Sequence, residues 1–420
     1  MVGIQNPKGT KDIDIEEKIQ ANRIIKIITE IFEKYGFNPL QTTILERYEA
    51  LAAKYAGGNE ILKETFKLND QGKRDLALRY DLTVPLARYI SMNPNLKMPF
   101  KRYEIGQVFR DGPIKTARYR EFTQCDIDTI GSSSMLADAE MLAIASEIFS
   151  KLNIKFIIRV NNRKILDSIL ESFNIPKEKR ETVILSIDKL DKIEISGVKK
   201  ELNEKGFKNL DKMLNLIFTN DLDDVEKVIK DKEGINEVKE VLKYCKLLSV
   251  KNVKLDISIA RGLSYYTSTI FEVYAVNSEI KSSIAAGGRY DNMIGDFIGN
   301  RKVPAVGISF GINVINDVLN EKEKNKEKTI AQFYISPIKT LKESLKILQK
   351  LRDNNLKCDI DLNSRSISKN LEYADSLGIP YVIIIGREEL KQNKIKLRDM
   401  KTGKEKLLTV TELILKFKKF

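Results

Sequence analysis

Apolar positions between residues 13 and 35 recur at helical spacing and stop at Gly36, which predicts an amphipathic helix, and residues 45 to 57 predict a second one. In LALRYDLTVPLARYI, Arg79, Asp81 and Thr83 share one face if the segment is extended. A helix is expected from Thr83, with Pro85 tolerated in its first turn. Residues 135 to 152 read as another amphipathic helix and KFIIRV as a short buried strand. From about Asn161 to Leu248 the chain turns helical and lysine-rich and loses polar alternation, which marks an inserted module. β-Branched and aromatic residues return in VKLDISIARGLSYYTSTIFEVY, predicting resumption of a sheet. AAGGRYD, Ala285 to Asp291, carries adjacent glycines that suit a turn or a backbone lying close to a ligand. VPAVGISFGINVI runs from strand into helix through Gly307 and Gly311. Beyond a charged linker at Asn320 to Lys328, strands and helices alternate to the C-terminus, as in a compact α/β domain.

One stretch departs from ordinary amphipathic patterning. In KRYEIGQVFRDGPIKTARYREFTQCDID, residues 101 to 128, a strand would place Arg118, Arg120, Phe122, Gln124, Asp126 and Asp128 on one face. Only one of the six is apolar, whereas a core-facing row would be mostly apolar. The DGP turn at Asp111 to Pro113 makes the segment a hairpin and brings Arg110 toward the other two arginines. Three guanidiniums and an aromatic ring suit a nucleotide, with forked donors for phosphate oxygens and a flat face for a base. The carboxylates at the far end suit a cationic or N–H-rich group. A salt-bridged solvent face is the competing reading, and it would not require so long a polar row.

Composition narrows the chemistry. The 420 residues allow two to three domains, and 31% charged with 42% hydrophobic residues is usual for a globular chain. No run reaches the length of a membrane span and the N-terminus lacks an apolar signal core, so a cytoplasmic location is expected. Cys125, Cys245 and Cys358 are far apart and form no CxxC pair, so neither a disulfide framework nor a cysteine zinc site is expected. The chain has no histidine, which excludes Ser-His-Asp triads, Cys-His pairs, phosphohistidine and His-ligated metals. What remains is chemistry by positioning and electrostatics, such as attack of an already ionised carboxylate on a phosphate. The net charge of +13 suggests a polyanionic partner. From Thr329 to Phe420, 19 Lys+Arg stand against 11 Asp+Glu, so over half of that excess lies in the C-terminal domain.

Together, PKGTKD, RYDLTVPLARY, FRDGP…ARYREFTQCDID, ARGLSYYTSTIFE, AAGGRYD and VGISFG resemble, in order and spacing, the class II aminoacyl-tRNA synthetases and specifically the histidyl-tRNA synthetases. RYDLT with RGLxYYT is particular to the histidine enzymes and their paralogues. The resemblance implies that Arg110 holds the ATP α-phosphate and the substrate carboxylate, that Phe122 stacks on adenine, and that Arg118 and Arg120 lie beside it. It implies that Asp81, Thr83 and Gln124 surround the α-amine and backbone of L-histidine, while Asp128 and Tyr266, with Tyr265 adjoining, read the imidazole. Arg261 is implied to stabilise charge on the α-phosphate, and Gly287 and Gly288 to form the backbone wall. Departures accompany these matches: Val314 stands where the family often has Arg, Ser264 and Ser268 where Asp and Gly are frequent, and Thr43 where a proline is usual. The arginine hairpin is also about one residue shorter than in many relatives, which leaves an ATP contact for Asp111 open.

The expected architecture is an α+β catalytic domain, residues 1–160 and 250–320, built on the class II antiparallel sheet with flanking helices. A helical insertion (161–249) and an α/β anticodon-binding domain (329–420) complete it. The implied activity is ligation of L-histidine to tRNA(His) through histidyl-adenylate, with ATP as substrate, Mg2+ accompanying it, no metal site built by the protein, and a homodimer. The alternative is a non-catalytic paralogue that senses histidine as a regulatory subunit. Such paralogues lack the C-terminal domain.

Overall fold

The computed structural model describes residues 3–55, 62–114, 119–208, 210–259, 265–297, 302–321 and 327–417. The chain forms two compact units, residues 1–12 with 23–323, and residues 13–22 with 324–420.

Sixteen strands are described. The first unit carries β1 (Asn38–Pro39), β2 (Leu45–Arg47), β3 (Lys67–Asn69), β4 (Asp75–Leu78), β5 (Phe100–Phe109), β6 (Glu121–Ile130), β7 (Phe156–Asn162), β8 (Val253–Leu255), β9 (Thr269–Ala275), β10 (Ala285–Arg289) and β11 (Ala305–Gly311). Eight of them make a sheet in the order β1-β5-β6-β11-β10-β9-β7-β8. Its central pairings are antiparallel, as expected for the class, and only the edge pairs β1–β5 and β7–β8 are parallel. The sheet's helical side explains the apolar half of each pattern. In the helix Ile15–Lys34, Ile24, Ile28, Ile31 and Phe32 fall on one stripe and are buried. The rings of Phe32 and Phe149, the latter from the helix Met135–Lys151, lie 5.7 and 5.8 Å from Phe310 of β11. Phe310 is fully buried there, worth roughly 1.5–3 kcal/mol for such a side chain. Its neighbours in sequence, Ser309 and Gly311, therefore face the opposite side of the sheet.

Two expectations change. Residues 45–47 are strand, pairing with β4, and the described helix is Tyr48–Tyr55, residues 56 and 57 lying outside the described residues; the segment is too short for apolar spacing alone to separate the two periods. Arg79, Asp81 and Thr83 do not form an extended row, because β4 ends at Leu78 and Thr83 already opens the helix Thr83–Met92. Arg79 instead turns inward, where Nη1 bonds Glu104 at 2.8 Å with both side chains buried.

Between Arg163 and Leu247 the chain is helical and builds its own core, which includes Ile165, Ile169, Val183, Val198, Met213, Ile217 and Val238. The second unit has β12 (Phe333–Pro337), β13 (Cys358–Ile360), β14 (Tyr381–Ile385), β15 (Ile395–Asp399) and β16 (Glu405–Leu408) in the order β13-β12-β14-β15-β16. β12 is parallel to both neighbours, and β15 and β16 are antiparallel additions. Among the described residues no helix is long and apolar enough to cross a membrane.

Candidate active site

On the face opposite Phe310, the first unit encloses a cavity of about 590 Å³ floored by β6, β10 and β11. Strand β6 alternates as its sequence requires. Cys125 and Ile127 are fully buried in the core, while Phe122, Gln124, Asp126 and Asp128 line the cavity. Ten residue pairs from Phe100↔Ile130 to Phe109↔Glu121 fix the β5–β6 register, and Arg102 is thereby set opposite Asp128.

The deep end of the cavity is a buried charged cluster. Arg102 Nη2 lies 2.9 Å from Asp128 Oδ2 and donates to the Leu82 carbonyl at 3.0 Å. The hydroxyl of Tyr290 donates to Asp128 Oδ1. Asp126 and Asp128 are both buried, and the Arg102 guanidinium is the positive charge that Asp128 pairs with. Burial, reinforced by Asp128 and opposed by Arg102, pushes the Asp126 carboxyl up to about 8. Asp128 is raised for the same first reason, burial, and Arg102 and the Tyr290 hydroxyl work against it. Tyr266 and Tyr290 are raised by burial and then by these carboxylates, so both phenols stay protonated and able to donate. Asp126 Oδ1 and Gln124 Oε1 are buried without a hydrogen-bond partner. A buried unpaired acceptor is costly, so the pocket suits a ligand carrying several N–H donors.

The mouth has a different character. Arg110 donates from Nε to the Tyr80 carbonyl at 3.2 Å, and its guanidinium lies 4.3 Å from the Tyr80 ring and 5.0 Å from the Phe122 ring. The two aromatic faces hold a planar cation whose remaining N–H groups suit an oxyanion. Asp81 Oδ1 accepts from the backbone N–H of Thr83 at 3.1 Å and of Val84 at 3.0 Å, so the RYDLT turn is locked while Asp81 and Thr83 line the cavity.

The structure thus brings together Asp81, Thr83, Arg110, Phe122, Gln124, Asp128, Tyr265, Tyr266 and Gly287. Val314 lines the same cavity, and Asn313 beside it accepts from the Thr123 backbone N–H at 3.2 Å. Arg120 is not in the lining; it pairs with Asp111 at 2.9 Å on the hairpin loop. Gly288 lies behind the wall rather than in it, since a Cβ there would meet the Tyr266 ring at 2.9 Å. Arg118 and Arg261 lie outside the described residues. The sequence reading missed Tyr290 and Ser309. Tyr290 directly follows β10 in GGRYD, and Ser309 alternates with Phe310 in GISFG; both signals were present in motifs already singled out. Among the described residues no cluster of three or more His, Cys, Asp or Glu is arranged to hold a metal ion.

The eight-stranded sheet, its hairpin and the separate α/β domain define a class II aminoacyl-tRNA synthetase. The sequence model of the family described as histidyl-tRNA synthetase matches residues 9–315, and that of the anticodon binding domain matches residues 332–420. Histidine–tRNA ligase 1 of Bacillus cereus is 45% identical, with 98% of this chain and 99% of that protein covered. Histidine–tRNA ligase of Clostridium tetani is 40% identical over 95% and 94% of the two chains. The crystal structure of histidyl-tRNA synthetase from Nostoc sp. PCC 7120 superposes with a TM-score of 0.87 at 33% identity, covering 99% of each chain. The chain belongs to the histidyl-tRNA synthetase family. A protein described as an ATP phosphoribosyltransferase regulatory subunit/histidyl-tRNA synthetase from Bacillus halodurans C shares the fold, with a TM-score of 0.75 at 20% identity.

Proposed function

We propose that this chain activates L-histidine with ATP and transfers it to tRNA(His). The observation that carries the reading is the row of Gln124, Asp126 and Asp128 along β6, with acceptors left unpaired at one end of a cavity whose other end presents Arg110 between two aromatic rings. In the first step the histidine carboxylate attacks the ATP α-phosphate, forming the acyl–phosphate bond and releasing pyrophosphate. That carboxylate is already ionised, so no imidazole base is required. Arg110 stabilises the developing negative charge, together with Arg261 as the family resemblance implies, and ATP enters with Mg2+. The second step transfers the acyl group from AMP to the terminal ribose of tRNA.

Asp128 accepts one imidazole N–H and a tyrosine hydroxyl meets the other ring nitrogen. An apolar side chain would leave both protein groups unpaired, which at sites of this kind is worth about 10⁴–10⁵ in discrimination. The adenine ring lies against Phe122, and Asp81, Thr83 and Gln124 take the α-ammonium group. The basic C-terminal unit, matched by the anticodon-binding domain, holds the tRNA through phosphate contacts. Its presence supports the ligase over the regulatory paralogue. A homodimer in the cytoplasm is the assembly and location in keeping with the family.

The test is charging. Full-length protein with ATP, histidine and a tRNA(His) transcript should yield histidyl-tRNA, with a rate that falls steeply as salt is raised. Binding of histidine without pyrophosphate exchange, together with capture of a partner enzyme, would instead establish the regulatory paralogue.

A further inference from the structure

Gln124 is tied to the neighbouring strand through one end of its amide. Its Nε2 donates to Ser309 Oγ at 2.5 Å. Strand register sets Ser309 directly opposite Asp126, and both side chains line the cavity, so the Ser309 hydroxyl can turn its proton to that carboxylate. A serine hydroxyl has one proton. When Asp126 is ionised, as the positive charge of an ammonium group arriving beside it favours, that proton goes to the Asp126 carboxylate, the oxygen can only accept from Gln124, and the amide must turn its N–H₂ to Ser309 and its Oε1 to the cavity. Gln124 Oε1 is buried there without a partner. The reversed amide would aim two N–H donors at an incoming ammonium group, a repulsive arrangement.

We propose that Asp126 and Ser309 are positioning residues that hold the Gln124 amide as an acceptor for the substrate's α-ammonium group. This rests on the histidine-activating reading above, which puts the α-ammonium at Gln124. Neither positioning residue needs to touch the amine itself. Their effect passes through one side chain, so it should be specific to ligands that carry the amine and should vanish when Gln124 can no longer be oriented.

Two ligands separate the effect from general damage to the pocket: histidinol, which keeps the amine and lacks the carboxylate, and 3-(imidazol-4-yl)propanoate, which keeps the carboxylate and lacks the amine. Calorimetric titration of the full-length protein should show Ser309→Ala weakening histidinol about tenfold, the loss of about one hydrogen bond to a charged group. Binding of the propanoate should stay within twofold. Asp126→Asn, whose amide can donate to Ser309 and reverse the relay, should give the same pattern. In a Gln124→Met background, Ser309→Ala should change histidinol binding less than twofold, because the side chain to be oriented is gone. Equal weakening of both ligands, full multiplication of the two substitutions, or no effect of either positioning variant would overturn the proposal. Wild-type exchange of pyrophosphate with histidine is measured beside these titrations. Exchange with failed titrations sinks the relay alone, whereas its absence sinks the reading of the site and the relay with it.

Discussion

Two kinds of buried charge lie within the first unit, and they differ in what they leave unsatisfied. Around Arg289 the guanidinium is enclosed by Asp138, Asp291 and the carbonyls of Ser132 and Ser134. Around Glu104, the carboxylate takes Arg79 at 2.8 Å and both the backbone N–H and the hydroxyl of Thr42 at 2.9 Å. Both clusters are closed by their own chain and tie strands to helices or loops. The Arg102–Asp126–Asp128 cluster is just as buried, yet it keeps unpaired atoms on the cavity side and has lining residues on β6, β10 and β11. Buried charge is therefore not what marks the site. The mark is an incomplete set of partners beside an open volume, and the ligand completes it.

The closed clusters should answer chiefly in stability. Arg289→Ala strands Asp138, whose carboxyl is already raised by burial and held charged by Arg289, and should cost about 3–5 kcal/mol in denaturant unfolding. Histidine KM, measured at a temperature where the variant is folded, should stay near the wild-type value. A large rise in KM without loss of stability would erase the distinction between the clusters.

Asp128→Asn probes the open cluster. Histidine KM should rise by one to two orders of magnitude, or roughly 1–3 kcal/mol, while ATP KM moves far less. Equal harm to both substrates would mean that Asp128 shapes the cavity rather than reads the ring.

A further test is one of pH. Asp126 is held near 8 in the folded chain against an ordinary value of 3.8, so the folded state binds a proton that the unfolded state has released. Stability should therefore fall as pH rises from about 4 toward 8 and level off above that. Asp126→Asn should remove this contribution, flattening the drop in denaturant midpoint between pH 5 and pH 8. An unchanged slope would place the titration elsewhere.

How much of this was legible in the sequence follows from the range of the interactions. The β6 row could be read because alternation is local, with Cys125 and Ile127 inward forcing Gln124, Asp126 and Asp128 to the other face. The same logic failed at Arg79, since two-residue periodicity holds only while the strand continues, and it stops at Leu78. Tyr290 and Ser309 stand in motifs that the sequence marks, but their partners do not follow from it. Each meets β6 across more than 160 residues of chain, through a register that the single sequence does not state. Gly307 shows the same dependence: a Cβ there would sit 2.0 Å from Asp128 Oδ1, a requirement visible only once β11 lies beside β6. The wall glycines were found from their motif, yet only packing separates Gly287, in the cavity, from Gly288, beneath Tyr266.

The central claim is that the open cluster reads histidine. ATP–pyrophosphate exchange by the wild-type chain, measured separately with each of the twenty amino acids, tests it most directly. The account predicts exchange with histidine and a rate lower by about four orders of magnitude or more with every other amino acid. Comparable exchange with another amino acid, or none with histidine, would contradict it.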